Sequence, residues 1–319
     1  MNILITGGLG FIGSNFYNIF KKRYPDYKLV ILDSVTYAAD EKNIDDSSSR
    51  IIKFSICERD RLFKLFKNYN FDAVIHFAAE SHVDNSIKNP QEFIQTNVVG
   101  TVNLLDASVK YGIKKFYHIS TDEVFGHLGG VGQFDEKTPY DPRSPYSASK
   151  SASDHFVRAY YHTFGLPVVI SNCSNNFGPK QHDEKLIPTV IKSILKGKPI
   201  PVYGNGTNVR DWLYVDDHVD AIDKVFHNGK IGETYCIGGG NEMNNLRLVR
   251  MICEKIDNLK DWEQVSTDLI TFVEDRKGHD FRYSIDFTKI KNELSWEPKT
   301  DFSQGLDKTI DFYIKKFGV

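Results

Sequence analysis

The residues best suited to acid–base chemistry lie at the end of a predicted strand. The stretch FYHIS, residues 116–120, is apolar enough for a buried strand, and Thr121, Asp122 and Glu123 follow at once. Two adjacent carboxylates influence each other's protonation, because the charge on one raises the pKa of the other. Such a pair, Asp122 and Glu123, could divide the roles of general acid and general base. The structural alternative is a helix cap or a solvated loop end.

A tyrosine and a lysine four residues apart form a second candidate pair. Tyr146 and Lys150, in SPYSASK, share one face of a predicted helix. A nearby ammonium favours the phenolate, so the pair can supply a base. The spacing alone is not diagnostic, because three other pairs have it: Tyr17/Lys21, Tyr24/Lys28 and Tyr111/Lys115. Tyr146 differs from them in its setting, since it follows Pro145 and the potential helix cap Ser144.

Glycines recur where the first predicted strand passes into the first predicted helix. The stretch ILITGGLGFIG reads as Gly8-x-Gly10-x-x-Gly13 and also as Gly7-x-x-Gly10-x-x-Gly13. Glycine permits a tight turn and lets a pyrophosphate approach the free N–H groups of a helix N-terminus. Asp33 ends the second predicted strand, where a carboxylate binds ribose hydroxyls and repels a 2′-phosphate. We therefore predict NAD rather than NADP; a turn without a ligand is the alternative.

Strand and helix patterns alternate through the first half of the chain. Near-continuous apolar runs predict strands buried on both faces, and the alternation predicts a doubly wound α/β fold with a Rossmann-type parallel sheet. The predicted strands are residues 2–6, 28–33, 51–55, 72–78, 114–120 and 167–171, and the predicted helices are 11–23, 59–69, 90–111 and 146–164. The alternation of strands and helices becomes irregular after about residue 172, which indicates a smaller, interleaved α/β substrate domain. We predict an NAD-binding domain at 1–171 and 212–237 and a substrate domain at 172–211 and 238–319.

Composition argues against several other classes of protein. The formal net charge of −2 over 319 residues disfavours nucleic-acid binding. No apolar run approaches the ~20 residues that span a bilayer, and MNILITGG does not read as a secretory signal. The scattered cysteines predict reduced thiols in a cytoplasmic protein: Cys57, Cys173, Cys236 and Cys253. No Cys/His spacing predicts a metal site, and in VDDHVD we interpret Asp216 or Asp217 as a helix cap.

Three motifs taken together, TGGLGFIG, STDEVFG and YSASK, resemble the extended short-chain dehydrogenase/reductase superfamily, and within it the nucleotide-sugar 4,6-dehydratases. The likeness covers nearly the whole chain. Further matching stretches are AAESHVDNSI (78–87), TNVVGTVNLLDA (96–107), NNFGPKQHDEKLIP (175–188), PVYGNGTNVRDWLYVDDH (201–218) and RKGHDFRYSID (276–286).

The resemblance implies an NAD-dependent dehydration of a nucleotide-diphosphate-glucose: oxidation at C4, loss of water across C5–C6 and return of hydride to C6. Tyr146, assisted by Lys150, would remove the proton of the 4-hydroxyl, which Thr121 would orient. Glu123 would take the C5 proton and Asp122 would protonate the departing 6-hydroxyl. The favoured substrate is dTDP-glucose. UDP-glucose, UDP-GlcNAc, a 4-epimerase reaction and an NAD sensor without turnover are the alternatives.

The resemblance also implies the residues that bind each ligand. For the cofactor they are Gly7, Gly10, Phe11, Ile12, Gly13, Asp33, Ser55, Ile56, Ala78, Ala79, Thr96, Tyr146 and Lys150. For the substrate they are His82, Asn175, Asn176, Lys185, Leu186, Tyr203, Arg210, Asn245 and His279. Arg210 suits the diphosphate, because a guanidinium can bind phosphate oxygens in bidentate fashion.

Two further expectations come from the family pattern. The family usually has an aspartate at the position of Ser55, in contact with the adenine amino group, so we expect weaker adenine binding here. The long helices at 90–111 and 146–164 resemble those that pair into a four-helix interface in this superfamily, which implies a homodimer.

Overall fold

The computed structural model describes residues 1–259 and 265–318. Its strands are β1 (Asn2–Thr6), β2 (Lys28–Asp33), β3 (Arg50–Lys53), β4 (Ala73–His76), β5 (Lys115–Thr121), β6 (Val168–Cys173), β7 (Asn175–Phe177), β8 (Ile200–Tyr203), β9 (Val209–Tyr214), β10 (Thr234–Ile237), β11 (Glu242–Asn244) and β12 (Ile270–Val273). Its α-helices are α1 (Phe11–Arg23), α2 (Arg59–Tyr69), α3 (Val83–Lys88), α4 (Pro90–Phe93), α5 (Thr101–Lys110), α6 (Pro145–Phe164), α7 (Leu186–Leu195), α8 (Val215–Asn228), α9 (Asn245–Leu259), α10 (Thr288–Leu294) and α11 (Phe302–Phe317).

A seven-stranded sheet in the order β10-β6-β5-β4-β1-β2-β3 forms the larger part of the molecule. All of its neighbouring strands run parallel. Apolar cores lie on both faces, one under α1 and α8 and the other under α2, α5 and α6. The order reverses between β1 and β4, and the crevice at such a switch point is where open α/β sheets bind ligands. The predicted doubly wound fold is confirmed.

Two small sheets, β11-β9-β7 and β12-β8, lie over a third apolar core. β9 crosses the predicted domain boundary at 211/212, because its residues pair with β7 and β11 and not with the large sheet. β10 then returns to the large sheet beside β6. The substrate part is thus interleaved with the sheet, while the exact division of the chain stays a prediction.

The N-termini of α6 and α8 test two predicted helix caps. Ser144 caps α6 in a reciprocal arrangement with Ser147, as predicted. The cap expected at Asp216 or Asp217 is wrong: Tyr214 is the N-cap of α8, and both acids lie in its first turn, where they face the positive end of the helix dipole. Among the described residues, no helix is long and apolar enough to cross a membrane.

The helix predicted over 90–111 is continuous but not uniform. A π-helical segment, Ile94–Gly100, joins α4 to α5. Such segments occur often at functional sites, because the extra residue per turn redirects side chains. Here it carries Thr96 and Asn97, which lie at the groove described below.

Candidate active site

All of the residues predicted to bind the cofactor line one cavity at the carboxyl ends of the parallel strands. The N-terminus of α1 opens onto it, and no side chain of the described residues caps that end. The glycines of the first turn are sterically required: a Cβ on Gly13 would lie 2.3 Å from the Gly7 carbonyl oxygen, and Gly7 has φ +71°. A Cβ on Gly10 would lie 3.4 Å from the same oxygen, an ordinary contact, so the steric need for glycine is at Gly7 and Gly13. This arrangement fits the pyrophosphate of a dinucleotide.

Asp33 is held in place to receive the ribose. Its two carboxylate oxygens accept hydrogen bonds from the backbone N–H groups of Leu9 (3.0 Å) and Val35 (2.8 Å). Burial raises the pKa of Asp33, and these two bonds oppose that rise. The remaining lone pairs can accept from a ribose diol, so the residues present fit NAD.

Ser55 lines the same cavity, but its hydroxyl is engaged locally. Its Oγ accepts a hydrogen bond from the N–H of Cys57 at 3.2 Å, and its own N–H donates to Glu58 at 3.0 Å. The side chain therefore helps to close the turn that leads into α2. This agrees with the expectation of a weak contact to adenine, which stays a prediction.

The acid pair lies where the end of β5 meets the cavity. Asp122 is 2% exposed; one carboxylate oxygen accepts from the Thr121 hydroxyl at 3.3 Å, and the other has no hydrogen-bond partner among the described residues. Burial, reinforced by the charges of Glu123 and Asp211, raises the pKa of Asp122 well above its usual value. The protonated form is therefore more strongly favoured for Asp122 than for an ordinary aspartate.

Glu123 experiences a different electrostatic environment. Burial raises its pKa as well, but Arg210, Lys185 and Arg276 act in the opposite direction. Three cations favour the carboxylate form of Glu123, whereas burial and two acids favour the protonated form of Asp122. The two carboxyl groups thus differ in the way that one acid and one base require.

Tyr146 and Lys150 line the cavity from α6. Burial, followed by the charge of Glu123, raises the pKa of Tyr146, while a hydrogen bond with Thr121 lowers it. The Lys150 ammonium donates to the carbonyl oxygen of Ile119 at 2.9 Å, and burial lowers its pKa. Burial is thus the main effect of the protein on the pKa of Tyr146, and the phenolate that Lys150 is expected to favour stays a prediction.

Asn97 positions the site, and sequence reasoning missed it. Its amide oxygen accepts from the N–H of Glu80 at 2.8 Å, and its amide nitrogen donates to the Glu80 carbonyl at 3.0 Å and to Ser149 Oγ at 2.9 Å. Ser149 in turn donates to the carbonyl of Tyr146 at 2.6 Å. The π-helical segment thereby links the loop after β4 to the first turn of α6. A buried amide within an apolar helix pattern was the available signal.

A second cavity contains all of the residues predicted to bind the substrate. The two cavities share seven lining residues: Ser81, Glu123, Asn175, Asn176, Gln181, Glu184 and Lys185. The acid pair consequently lies between the dinucleotide groove and the second cavity. A molecule in the second cavity would present one end to Glu123.

Arg210 is fixed at the wall of the second cavity. Its guanidinium donates to the carbonyl oxygens of Val209 (2.7 Å) and Asp280 (3.0 Å) and lies 4.2 Å from the centre of the Tyr283 ring. The side chain is 7% exposed. A buried, preoriented guanidinium is well suited to bind a diphosphate.

Arg276 is a cation of the second cavity that sequence reasoning did not single out. Its Nε lies 2.6 Å from Asp84 Oδ1, and Tyr203 donates to the same carboxylate at 3.3 Å. On the same side of the cavity, Lys185 donates to the Ser81 carbonyl at 3.1 Å. Arg276 and Asp84 are far apart in the chain, so no local pattern indicates their pairing. No group of three metal-ligating side chains occurs in the part of the chain that the structure describes.

Comparison with known proteins places this site in a family. The family model described as GDP-mannose 4,6 dehydratase matches residues 4–309. The dTDP-glucose 4,6-dehydratase of Neisseria gonorrhoeae is 47% identical over 331 residues, which is 98% of this chain and 95% of the relative. The enzyme of that name from Xanthomonas campestris is 48% identical over 326 residues, 98% of this chain and 92% of the relative. The chain belongs to the dTDP-glucose 4,6-dehydratase family.

Solved structures agree with this assignment. A dTDP-glucose 4,6-dehydratase of Streptomyces venezuelae, with NAD bound, superposes with a TM-score of 0.93 at 42% identity, covering 100% of this chain and 98% of that one. The UDP-glucose 4-epimerase of Thermotoga maritima has a TM-score of 0.90 at 28% identity, covering 99% of this chain and all of that one. Dehydratase and epimerase folds are thus equally close in shape. Overall shape therefore does not separate a dehydratase from an epimerase, and the residues of the site have to be compared instead.

Proposed function

We propose that this protein converts dTDP-glucose into its 4-keto-6-deoxy derivative, with NAD as a cofactor that is regenerated in each turnover. The observation that carries the proposal is the position of two unlike carboxyl groups, Asp122 and Glu123, beside Tyr146 at the junction of the two cavities. When bound, NAD would accept hydride from C4 of the sugar, return it to C6 and add positive charge near the phenol.

The proposed work of the protein is to hold and move protons. Tyr146 takes the proton of the 4-hydroxyl, while Thr121, which lines the same cavity, orients that oxygen. Glu123 removes the C5 proton and returns it to C5 when hydride adds to C6; three nearby cations, Arg210, Lys185 and Arg276, oppose the rise in its pKa that burial causes. Asp122, whose pKa is raised by burial, gives its proton to the departing 6-hydroxyl. The positive charge of bound NAD would oppose the effect of burial on the pKa of Tyr146 and so favour the phenolate.

We propose that each ligand is bound mainly by one part of the chain, although residues of both parts line each cavity. Residues 1–171 and 212–237 would bind NAD, and residues 172–211 and 238–319 would bind the nucleotide sugar. In the second part, Arg210 and Arg276 supply charge for the diphosphate. The other proposed substrate contacts are His82, Asn175, Asn176, Lys185, Leu186, Tyr203, Asn245 and His279.

The direct test is mass spectrometry of the product. The protein is incubated separately with dTDP-glucose, UDP-glucose and UDP-GlcNAc, and the expected result is loss of one water from dTDP-glucose. Loss of water from a UDP-sugar alone would reassign the nucleobase. Unchanged mass with an inverted C4 would indicate an epimerase, and no product from any sugar would contradict catalysis.

We also propose that the protein is a cytoplasmic homodimer paired through α5 and α6. Apolar side chains on these helices and on the π-helical segment are exposed: Ile94 (43%), Val99 (38%), Val109 (38%), Phe156 (41%) and Phe164 (56%). The cysteines are free thiols, which suits a reducing compartment. Analytical ultracentrifugation should give a dimer for the wild type and a monomer for Phe156→Glu. Phe272→Glu is the control, because Phe272 is 56% exposed on β12, away from these helices.

A further inference from the structure

Asp154 lies at the centre of a buried polar network behind the candidate catalytic residues. It is on α6, one helical turn after Lys150, and its side chain is fully buried. Its carboxylate accepts four hydrogen bonds. The donors are His118 Nε2 at 3.1 Å, Ser120 Oγ at 2.9 Å, the Tyr140 hydroxyl at 2.8 Å and Asn172 Nδ2 at 3.3 Å.

Hydrogen bonds of Asp154 and of its neighbours Lys150 and Asn172 hold three consecutive residues at the end of β5 in place. Lys150 donates to the carbonyl of Ile119, Ser120 donates to Asp154, and Asn172 donates to the carbonyl of Thr121 at 3.0 Å. The next two residues are the acid pair. A shift of Asp154 would therefore be transmitted directly to the groups that transfer protons.

Asp154 and Lys150 also compensate each other's charge. Within the described chain no carboxylate lies within 4.0 Å of the Lys150 ammonium, and the only basic group that close to Asp154 is His118. Burial lowers the pKa of Lys150, and the charge of Asp154 opposes this effect. Burial likewise acts to raise the pKa of Asp154, but its bond from His118 and the charge of Lys150 hold that pKa at about 2.

The other titratable groups around the pair are neutral near pH 7, apart from one arginine. Burial lowers the pKa of His76 and brings that of His118 to about 4, and it raises the pKa of the Cys173 thiol to about 12. Burial also raises the pKa of Tyr140 and of Tyr146. Arg158, also on α6, donates to the Tyr140 hydroxyl at 2.8 Å. Lys150 is therefore the group near Tyr146 whose protonation depends on Asp154.

We infer that Asp154 is a positioning residue for proton transfer at Tyr146: it holds the end of β5 in place and supplies the counter-charge that keeps the buried Lys150 protonated. The inference rests on the proposed function. Without this carboxylate Lys150 would be a buried cation with no compensating charge, and it would lose its proton at a lower pH.

The test compares Asp154→Asn with Tyr140→Phe. The second variant removes one hydrogen bond to the same carboxylate but leaves its charge. The rate of NADH formation on mixing the NAD-loaded protein with dTDP-glucose is measured by stopped flow between about pH 6 and pH 10, and urea unfolding is measured for each variant. For Asp154→Asn we expect the rate of NADH formation to fall roughly tenfold at neutral pH. We also expect the decline of that rate at high pH, the high-pH limb of the profile, to begin about one pH unit lower than in the wild type. Tyr140→Phe should have a lower free energy of unfolding than the wild type, and its rate of NADH formation should decline at the same high pH as that of the wild type.

The outcomes separate the inference from the function on which it rests. A wild type that does not react with dTDP-glucose overturns both. A wild type that reacts, together with an Asp154→Asn profile that superposes on it, overturns the inference alone, as does a displaced limb in Tyr140→Phe. If Asp154→Asn does not fold, Asp154→Glu decides: the inference requires a slower rate with the limb unmoved, and a displaced limb contradicts it.

Discussion

Two neighbouring carboxyl groups differ here because their surroundings differ, although they follow one another in the chain. Asp122 points into a buried space near Asp211, whose own pKa burial raises to about 6. Glu123 faces Arg210, Lys185 and Arg276. The backbone turn after β5, a short 3₁₀ segment, sends the two side chains to different neighbours. The two carboxyl groups thus have different charged neighbours, a difference that the sequence motif alone left open.

Replacing Asp122 by asparagine should separate oxidation from elimination. The amide keeps the shape of the side chain but has no acidic proton for the 6-hydroxyl. We expect Asp122→Asn to form NADH with dTDP-glucose while water loss falls by about 100-fold or more, as mass spectrometry and absorbance would show together. Asp26→Asn, in the exposed turn after α1, is the matched control and should dehydrate at the wild-type rate. Undiminished water loss in Asp122→Asn would favour a reaction that does not need this acid.

Restoring the usual acid at position 55 should tighten cofactor binding. In the structure the Ser55 hydroxyl is used in the turn before α2 and offers adenine only a neutral acceptor. A carboxylate accepts a stronger bond from the adenine amino group, so we expect Ser55→Asp to bind NAD about threefold to tenfold more tightly. Isothermal titration calorimetry of the cofactor-free protein measures this change. Ser55→Asn controls for size without charge, and equal affinity in the Asp and Asn variants would count against the idea.

At the scale of single elements, the start of α6 is the most informative, because it carries Tyr146 in its first turn. Ser144 and Ser147 satisfy each other's backbone N–H groups there. We expect Ser144→Ala to lower the free energy of unfolding by about 1 kcal/mol, since the N–H of Ser147 loses its partner. Urea denaturation provides the measurement. Ser144→Thr keeps the capping oxygen and should recover most of the loss; equal destabilisation by threonine would show that the cap is not responsible.

Elements that depend on the sequence of their own segment could be predicted. Elements that depend on contacts with residues distant in the chain could not. The bounds of α1 and α2 agree with the prediction, since the apolar periodicity that defines a helix lies within the segment itself. The π-helical segment escaped prediction because Asn97 bonds to Glu80, seventeen residues away. The sheet that β9 joins escaped for a similar reason.

The candidate site divides in the same way. The glycine turn and the acid pair are contiguous motifs, so their place in the groove could be predicted from the sequence. The Arg276–Asp84 pair joins residues 192 positions apart and has no local signature. The spacing of Tyr146 and Lys150 indicates proximity but gives no measure of burial, which raises the pKa of Tyr146, so the expected effect of Lys150 stays a prediction.

At the scale of the whole molecule, three histidines are buried in the cores and held neutral. Burial lowers the pKa of His76, brings that of His118 to about 4 and that of His218 to about 3. An unfolded histidine titrates near pH 6.5. As the pH falls below that value, the unfolded chain takes up protons that these folded sites do not, so their contribution to stability is lost progressively toward acid pH. Buried carboxyl groups with raised pKa values, such as Asp211, act in the opposite sense over part of the same range.

The difference in unfolding free energy between the wild type and a histidine variant isolates the contribution of that histidine, because the carboxyl groups contribute equally to both proteins. His218 is fully buried, and its Nδ1 lies 2.8 Å from the amide oxygen of Asn176, a contact that a glutamine amide can replace. We expect His218→Gln to lose about 3 kcal/mol less unfolding free energy than the wild type between about pH 6.5 and pH 4, measured by urea denaturation. His162→Gln, on the exposed end of α6, should follow the wild-type curve. Parallel curves for the wild type and His218→Gln would mean that this imidazole takes up its proton without unfolding.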